Sequence, residues 1–97
     1  YNGSKGAAIT LTKSMAGELA ADKIRVCALN PVLGVTGLTA DFMGGDSPEM
    51  RAEYNKTIPM GRMSTPEDVA NAALFLASDE AEFLTGVCME IDGGRCI

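Results

Sequence analysis

The sequence predicts an α/β chain built around a parallel β–α–β crossover, and three observations carry that prediction. Residues 2–21 form an Ala- and Gly-rich stretch with a helical apolar stripe. The runs IRVCALN (Ile24–Asn30) and VCMEID (Val87–Asp92) are short, apolar and partly β-branched, as buried strands are. Between them lies a helix with an unmistakable start at Thr65-Pro66. A strand–helix–strand connection within one sheet is right-handed almost without exception and makes the strands parallel.

Each element follows from local chemistry. In the first helix, Ala8, Leu11, Met15 and Leu19 share a face, with Ala16 and Ala20 alongside. Its small residues allow close approach of another helix, while Gly17 costs up to about 1 kcal/mol of helix propensity. Asp22 and Lys23 end the stripe, and Pro31 bounds the first strand. Residues 31–64 form a long irregular segment with two short helical patches, one at residues 39–43 and one starting at Ser47-Pro48-Glu49. In the second patch Ser caps, Pro fits the first turn and Glu suits the positive end of the helix. Long segments between regular elements are commonly lids or binding loops, and Gly44-Gly45 offers a joint here. Thr65-Pro66-Glu67-Asp68 combines a cap, a first-turn Pro and acids, and Val69, Ala73, Leu76 and Ala77 supply the buried face. Asp79, Glu80 and Glu82 read as a solvated acidic turn, and Gly93-Gly94 turns the chain after the second strand.

Composition narrows the function classes. The 97 residues are 46% hydrophobic with a net charge of −5, which describes a globular chain. No apolar run approaches the roughly 20 residues of a membrane span. Scattered Lys and Arg under an acidic balance argue against a nucleic-acid partner, which demands a clustered basic face. With no His and three dispersed cysteines, Cys27, Cys88 and Cys96, no metal site is expected. The odd cysteine count without a signal peptide fits a reducing cytoplasm, with Cys27 and Cys88 as small buried apolar groups.

Tyr1 and Lys5 are four residues apart at the head of the first helix, which places them on one face. An ammonium beside a phenol favours the phenolate, drawing a pKa of about 10 toward the neutral range where acid–base work is done. The alternative is an ordinary first-turn Tyr with a solvated Lys. Two strands and two main helices do not enclose a core, since a sheet needs roughly three strands to stand alone. Further strands and helices are therefore expected before Tyr1, in the same polypeptide or in one tightly bound to it.

Taken in order, Tyr1-Asn2-Gly3-Ser4-Lys5, Asn30-Pro31, Thr36, Arg62, Thr65-Pro66-Glu67, Phe75-Leu76-Ala77-Ser78 and Asp92-Gly93-Gly94 make the chain similar to the C-terminal part of a short-chain dehydrogenase/reductase. It resembles most the branch that includes 3-oxoacyl-carrier-protein reductases and bacterial sugar or alcohol dehydrogenases. The resemblance covers nearly the whole chain. It implies a Rossmann-like doubly wound parallel sheet whose nucleotide-binding N-terminal half lies outside these residues. It further implies an oxidoreductase that moves a hydride between NAD or NADP and a carbonyl or secondary alcohol.

By the same resemblance, Tyr1 is the catalytic acid–base, and Lys5 lowers its pKa and binds the nicotinamide ribose. Pro31, Val32, Gly34 and Thr36 receive the nicotinamide carboxamide. This chain has Val32 where the family has Gly, and Gly appears two positions later as Gly34. Residues 38–54 match the family's variable substrate loop, in which Leu38, Phe42 and Met43 either face a substrate or seat the loop. Arg62 and Glu67 are expected in structural polar contacts. The family's assemblies imply a homodimer or homotetramer that packs through the first helix, although packing on its own sheet explains some of those alanines equally. The competing expectation is a catalytically inactive interaction fragment that oligomerises through that helix.

Overall fold

The computed structural model describes residues 2–32, 34, 45 and 47–95. Helix α1 spans Asn2–Leu19, strand β1 Ala28–Pro31, helix α2 Pro48–Asn55, helix α3 Pro66–Ala77 and strand β2 Cys88–Ile91. The strands form one sheet in the order β1-β2. Ala28 N–H donates to the Val87 carbonyl at 2.8 Å and Val32 N–H to the Ile91 carbonyl at 3.0 Å. Both partners advance together along the chain, so the pair is parallel, as the crossover requires.

Described residues gather into two compact units. One is drawn from Tyr1–Leu29 and Ala73–Met89, the other from Asn30–Ala72 and Glu90–Ile97. In the first unit, Ala16 is the buried residue of α1, and a side chain added at Gly86 would meet its Cβ at 3.5 Å. Lys13 Nζ donates to the Gly86 carbonyl at 3.2 Å. The Arg25 guanidinium donates to the Leu76 carbonyl at 2.6 Å, in the last turn of α3 where carbonyls lack helical partners, and to the Ser78 carbonyl at 3.3 Å.

In the second unit, Ser47 Oγ accepts from Met50 N–H at 3.1 Å and starts α2. Among the described residues, Ile58, at 2% exposure, and Met63 are its buried apolar side chains. Met60 N–H donates to the Gly93 carbonyl at 3.0 Å. Arg95 lies over the Tyr54 ring at 5.0 Å and donates to Thr57 Oγ1 at 3.1 Å, which holds the chain after β2.

Several expectations change here. The first helix stops at Leu19 and tightens into a 3₁₀ turn, Ala20–Asp22, closed by Lys23 in the left-handed region at φ 63. The first strand starts at Ala28 rather than Ile24. Thr85 Oγ1 takes the Val26 N–H at 3.1 Å while Gly86 N–H bonds the Val26 carbonyl, so the regular ladder begins only beyond them. On α3, Leu76 is buried as expected, but Ala73 and Ala77 are exposed and Val69 is half-buried. Leu11, on the expected apolar stripe of α1, is 58% exposed. A sheet of two described strands covers too little surface to bury every apolar stripe. Cys27 and Cys88 are half-buried free thiols rather than core groups. Asp79, Glu80 and Glu82 are solvated as expected. No described helix is long and apolar enough to cross a membrane. The helical patch expected at residues 39–43 lies outside the described residues.

Candidate functional site

In open α/β sheets, ligands bind outside the carboxyl ends of the strands. Here those ends are Pro31 on β1 and Ile91 on β2, and the second unit builds its densest polar arrangement beside them. Val32 follows β1 and is held on both sides of its backbone. Its N–H goes to Ile91, and its carbonyl accepts from Ser64 Oγ at 3.2 Å. Two residues later Gly34 makes an isolated parallel bridge with Ser64. A Cβ at Gly34 would fall 2.8 Å from Ser64 Oγ and 3.1 Å from its carbonyl oxygen, so only glycine fits this approach without displacing Ser64.

Ser64 is placed by the start of α3. Thr65 N–H donates to Asp68 Oδ2 at 2.8 Å, and Asp68 N–H returns a bond to Thr65 Oγ1 at 3.2 Å. This reciprocal pair is a capping box with Asp in place of the usual Glu. Arg62 adds a fork on the same carboxylate, Nη1 to Oδ2 at 2.6 Å and Nη2 to Oδ1 at 3.1 Å. The Arg62 hydrogen bonds, and behind them the Thr65 N–H, hold the Asp68 carboxyl well below its ordinary range. Arg62 is raised in turn, chiefly by its hydrogen bond to Asp68.

A cavity of about 410 Å³ opens beside these groups, lined by Val32, Ser64, Met60, Arg62, Asp68, Glu90 and the Ile91–Gly94 turn. Glu90 accepts from Asn30 Nδ2 at 3.0 Å across the strand pair. Asp92 Oδ1 accepts from Gly94 N–H at 3.0 Å, closing the turn in which Gly93 adopts φ 58.

Of the residues expected in the site, Pro31, Val32 and Gly34 lie together at the carboxyl end of β1. Pro31 is exposed, Val32 and Gly34 half-buried. Lys5 sits near the start of α1 with an exposed side chain. Tyr1, Thr36, Leu38, Phe42 and Met43 lie outside the described residues. Arg62 makes a structural polar contact as expected, and its partner is Asp68. Glu67 is exposed. Ser64 was not anticipated, because no local pattern ties position 64 to position 32. The one available signal was the displaced glycine at position 34.

The parallel crossover and the loops at its carboxyl ends define a Rossmann-like α/β protein. A family model described as enoyl-(acyl carrier protein) reductase matches residues 1–95. The 4-formylbenzenesulfonate dehydrogenase of Comamonas testosteroni is 53% identical, the match covering 100% of this chain and 39% of that protein. The 3-ketoacyl-(acyl-carrier-protein) reductase of Brucella melitensis, solved in complex with NADH, superimposes with a TM-score of 0.89 at 48% identity, covering 100% of this chain and 37% of the other. A putative NAD(P)-dependent gluconate 5-dehydrogenase from Beutenbergia cavernae with bound NADP gives a TM-score of 0.88 at 41% identity, over 98% of this chain and 37% of the other. The chain belongs to the short-chain dehydrogenase/reductase family. It spans less than half the length of each of these relatives.

Proposed function

We propose that the protein carrying this chain is an NAD(P)-dependent oxidoreductase acting on a carbonyl or secondary alcohol. The observation that carries this assignment is the family match over residues 1–95, which takes in the Gly34–Ser64 contact at the carboxyl end of β1. Identity of 53% to the C. testosteroni dehydrogenase across this chain, and likeness to proteins solved with NADH and NADP, support the same cofactor here. The bound nicotinamide supplies or accepts the hydride.

The residues of this chain supply orientation and the proton. In reduction, the Tyr1 phenol donates its proton to the substrate's carbonyl oxygen; in oxidation, the phenolate takes the hydroxyl proton. Lys5, four residues on, favours the phenolate by its charge and hydrogen-bonds the nicotinamide ribose. Pro31, Val32, Gly34 and Thr36 hold the carboxamide end. The Val32 N–H is bonded to Ile91 and its carbonyl accepts from Ser64, so Val32 takes part by fixing the path of the backbone there. Leu38, Phe42 and Met43 belong to the segment that meets the substrate.

The assembly proposed is a homodimer or homotetramer in the cytoplasm. Leu11 and Met15, exposed on α1, offer apolar surface for association, and Cys27 and Cys88 are free thiols.

The deciding experiment is Tyr1→Phe in the full-length protein, assayed with NADH and NADPH against an aryl aldehyde, a 3-oxoacyl thioester and a small ketone. Turnover is expected to vanish while nucleotide binding, followed by fluorescence, is retained. Retained turnover overturns the assignment.

A further inference from the structure

We propose, resting on the oxidoreductase reading above, that Ser64 is a positioning residue for the nicotinamide end of the cofactor. Its Oγ donates to the Val32 carbonyl at 3.2 Å, and its backbone pairs with Gly34. Ser64 therefore touches both Val32 and Gly34, the described residues just beyond β1. The Val32 N–H is spent on Ile91, so the peptide groups flanking Val32 are fastened from the sheet side and from the Ser64 side at once.

Ser64 itself has little freedom. It is 7% exposed, and the next residue, Thr65, is locked to Asp68 by the capping box. Turning the hydroxyl away from Val32 would leave a carbonyl short of a partner in a half-buried place, where an unmade hydrogen bond is costly. The Gly34 backbone lies so close to Ser64 that a Cβ added there would fall 3.1 Å from the Ser64 carbonyl oxygen. Val32 and Gly34 are thus both held against Ser64 at the place assigned to the carboxamide. Enzymes depend on such held geometry, because a small displacement of a bound reactant is expensive in rate.

The test uses the full-length protein and titrates NADH and NADPH by fluorescence, alongside steady-state KM and kcat. Ser64→Ala is expected to weaken nucleotide binding about three- to tenfold, the equivalent of one lost hydrogen bond. The KM for the carbonyl substrate is expected to stay within about twofold, a split that general destabilisation would not produce. Gly34→Ala supplies the same readout from the other side of the contact should Ser64→Ala not fold. Its effect should shrink in the Ser64→Ala background, where the clashing Oγ is gone. Unchanged nucleotide affinity in Ser64→Ala, or in Gly34→Ala if that is the variant that folds, overturns the role of Ser64 alone. A wild-type protein that binds neither nucleotide overturns the oxidoreductase reading, and the role of Ser64 with it.

Discussion

Arg62 grips Asp68 with both arms of its guanidinium, at 2.6 Å and 3.1 Å, and the same carboxylate caps helix α3 through Thr65. One side chain thus ties the start of a helix to the segment before it. Bidentate pairs of this kind combine charge with fixed geometry, which a lysine at position 62 would not reproduce.

The Asp68 carboxyl ionises well below its ordinary value of 3.8 in the folded chain. A depressed carboxylate stabilises the fold above its unfolded value, and that contribution is lost as pH falls through the folded value. Asp68→Asn should therefore lower the urea midpoint at pH 7. The gap from wild type should narrow as pH drops below about 4, where the unfolded carboxylate takes up its proton. Parallel midpoint curves at every pH would show that the carboxylate contributes nothing.

Thr65→Ala removes the hydroxyl that accepts from Asp68 N–H. Loss of an N-cap of this kind costs about 1 kcal/mol. Thr65→Ser keeps the oxygen and should stay within a few tenths of that unit, so chemical denaturation of the pair isolates the cap from side-chain volume.

Gly93 sits at φ 58, and a Cβ there would lie 2.7 Å from Ile58 Cγ2, inside the core of the second unit. Gly93→Ala combines left-handed backbone strain with overpacking and should destabilise by about 1–3 kcal/mol. A urea midpoint equal to wild type would mean that this turn tolerates a side chain.

Lys5→Met in the full-length protein removes the positive charge beside the proposed acid–base. Turnover should fall by about a hundredfold or more, and the remaining activity should peak at higher pH. A pH–rate profile with an unmoved optimum would separate Lys5 from proton transfer.

Much of the fold was legible before any coordinates. Both helix starts, at Ser47-Pro48 and Thr65-Pro66, fell where capping chemistry put them, because a cap is written within about four residues. The parallel strand pair followed from the crossover pattern. Boundaries were less legible. Strand β1 begins later than its apolar run because Thr85 and Gly86 engage Val26 from far along the chain. The exposure of Ala73 and Ala77 likewise depends on what covers α3, and periodicity alone does not report that.

The sequence by itself determined the α/β class and the family, since spacing and capping act over a few positions. Only the tertiary structure decided that Arg62 pairs with Asp68. It alone showed that Val32 spends its N–H on Ile91, and that Ser64 meets Val32 and Gly34. Ser64 and Val32 stand 32 positions apart. Contacts at that separation are chosen by how elements pack, and no local pattern of residues encodes them.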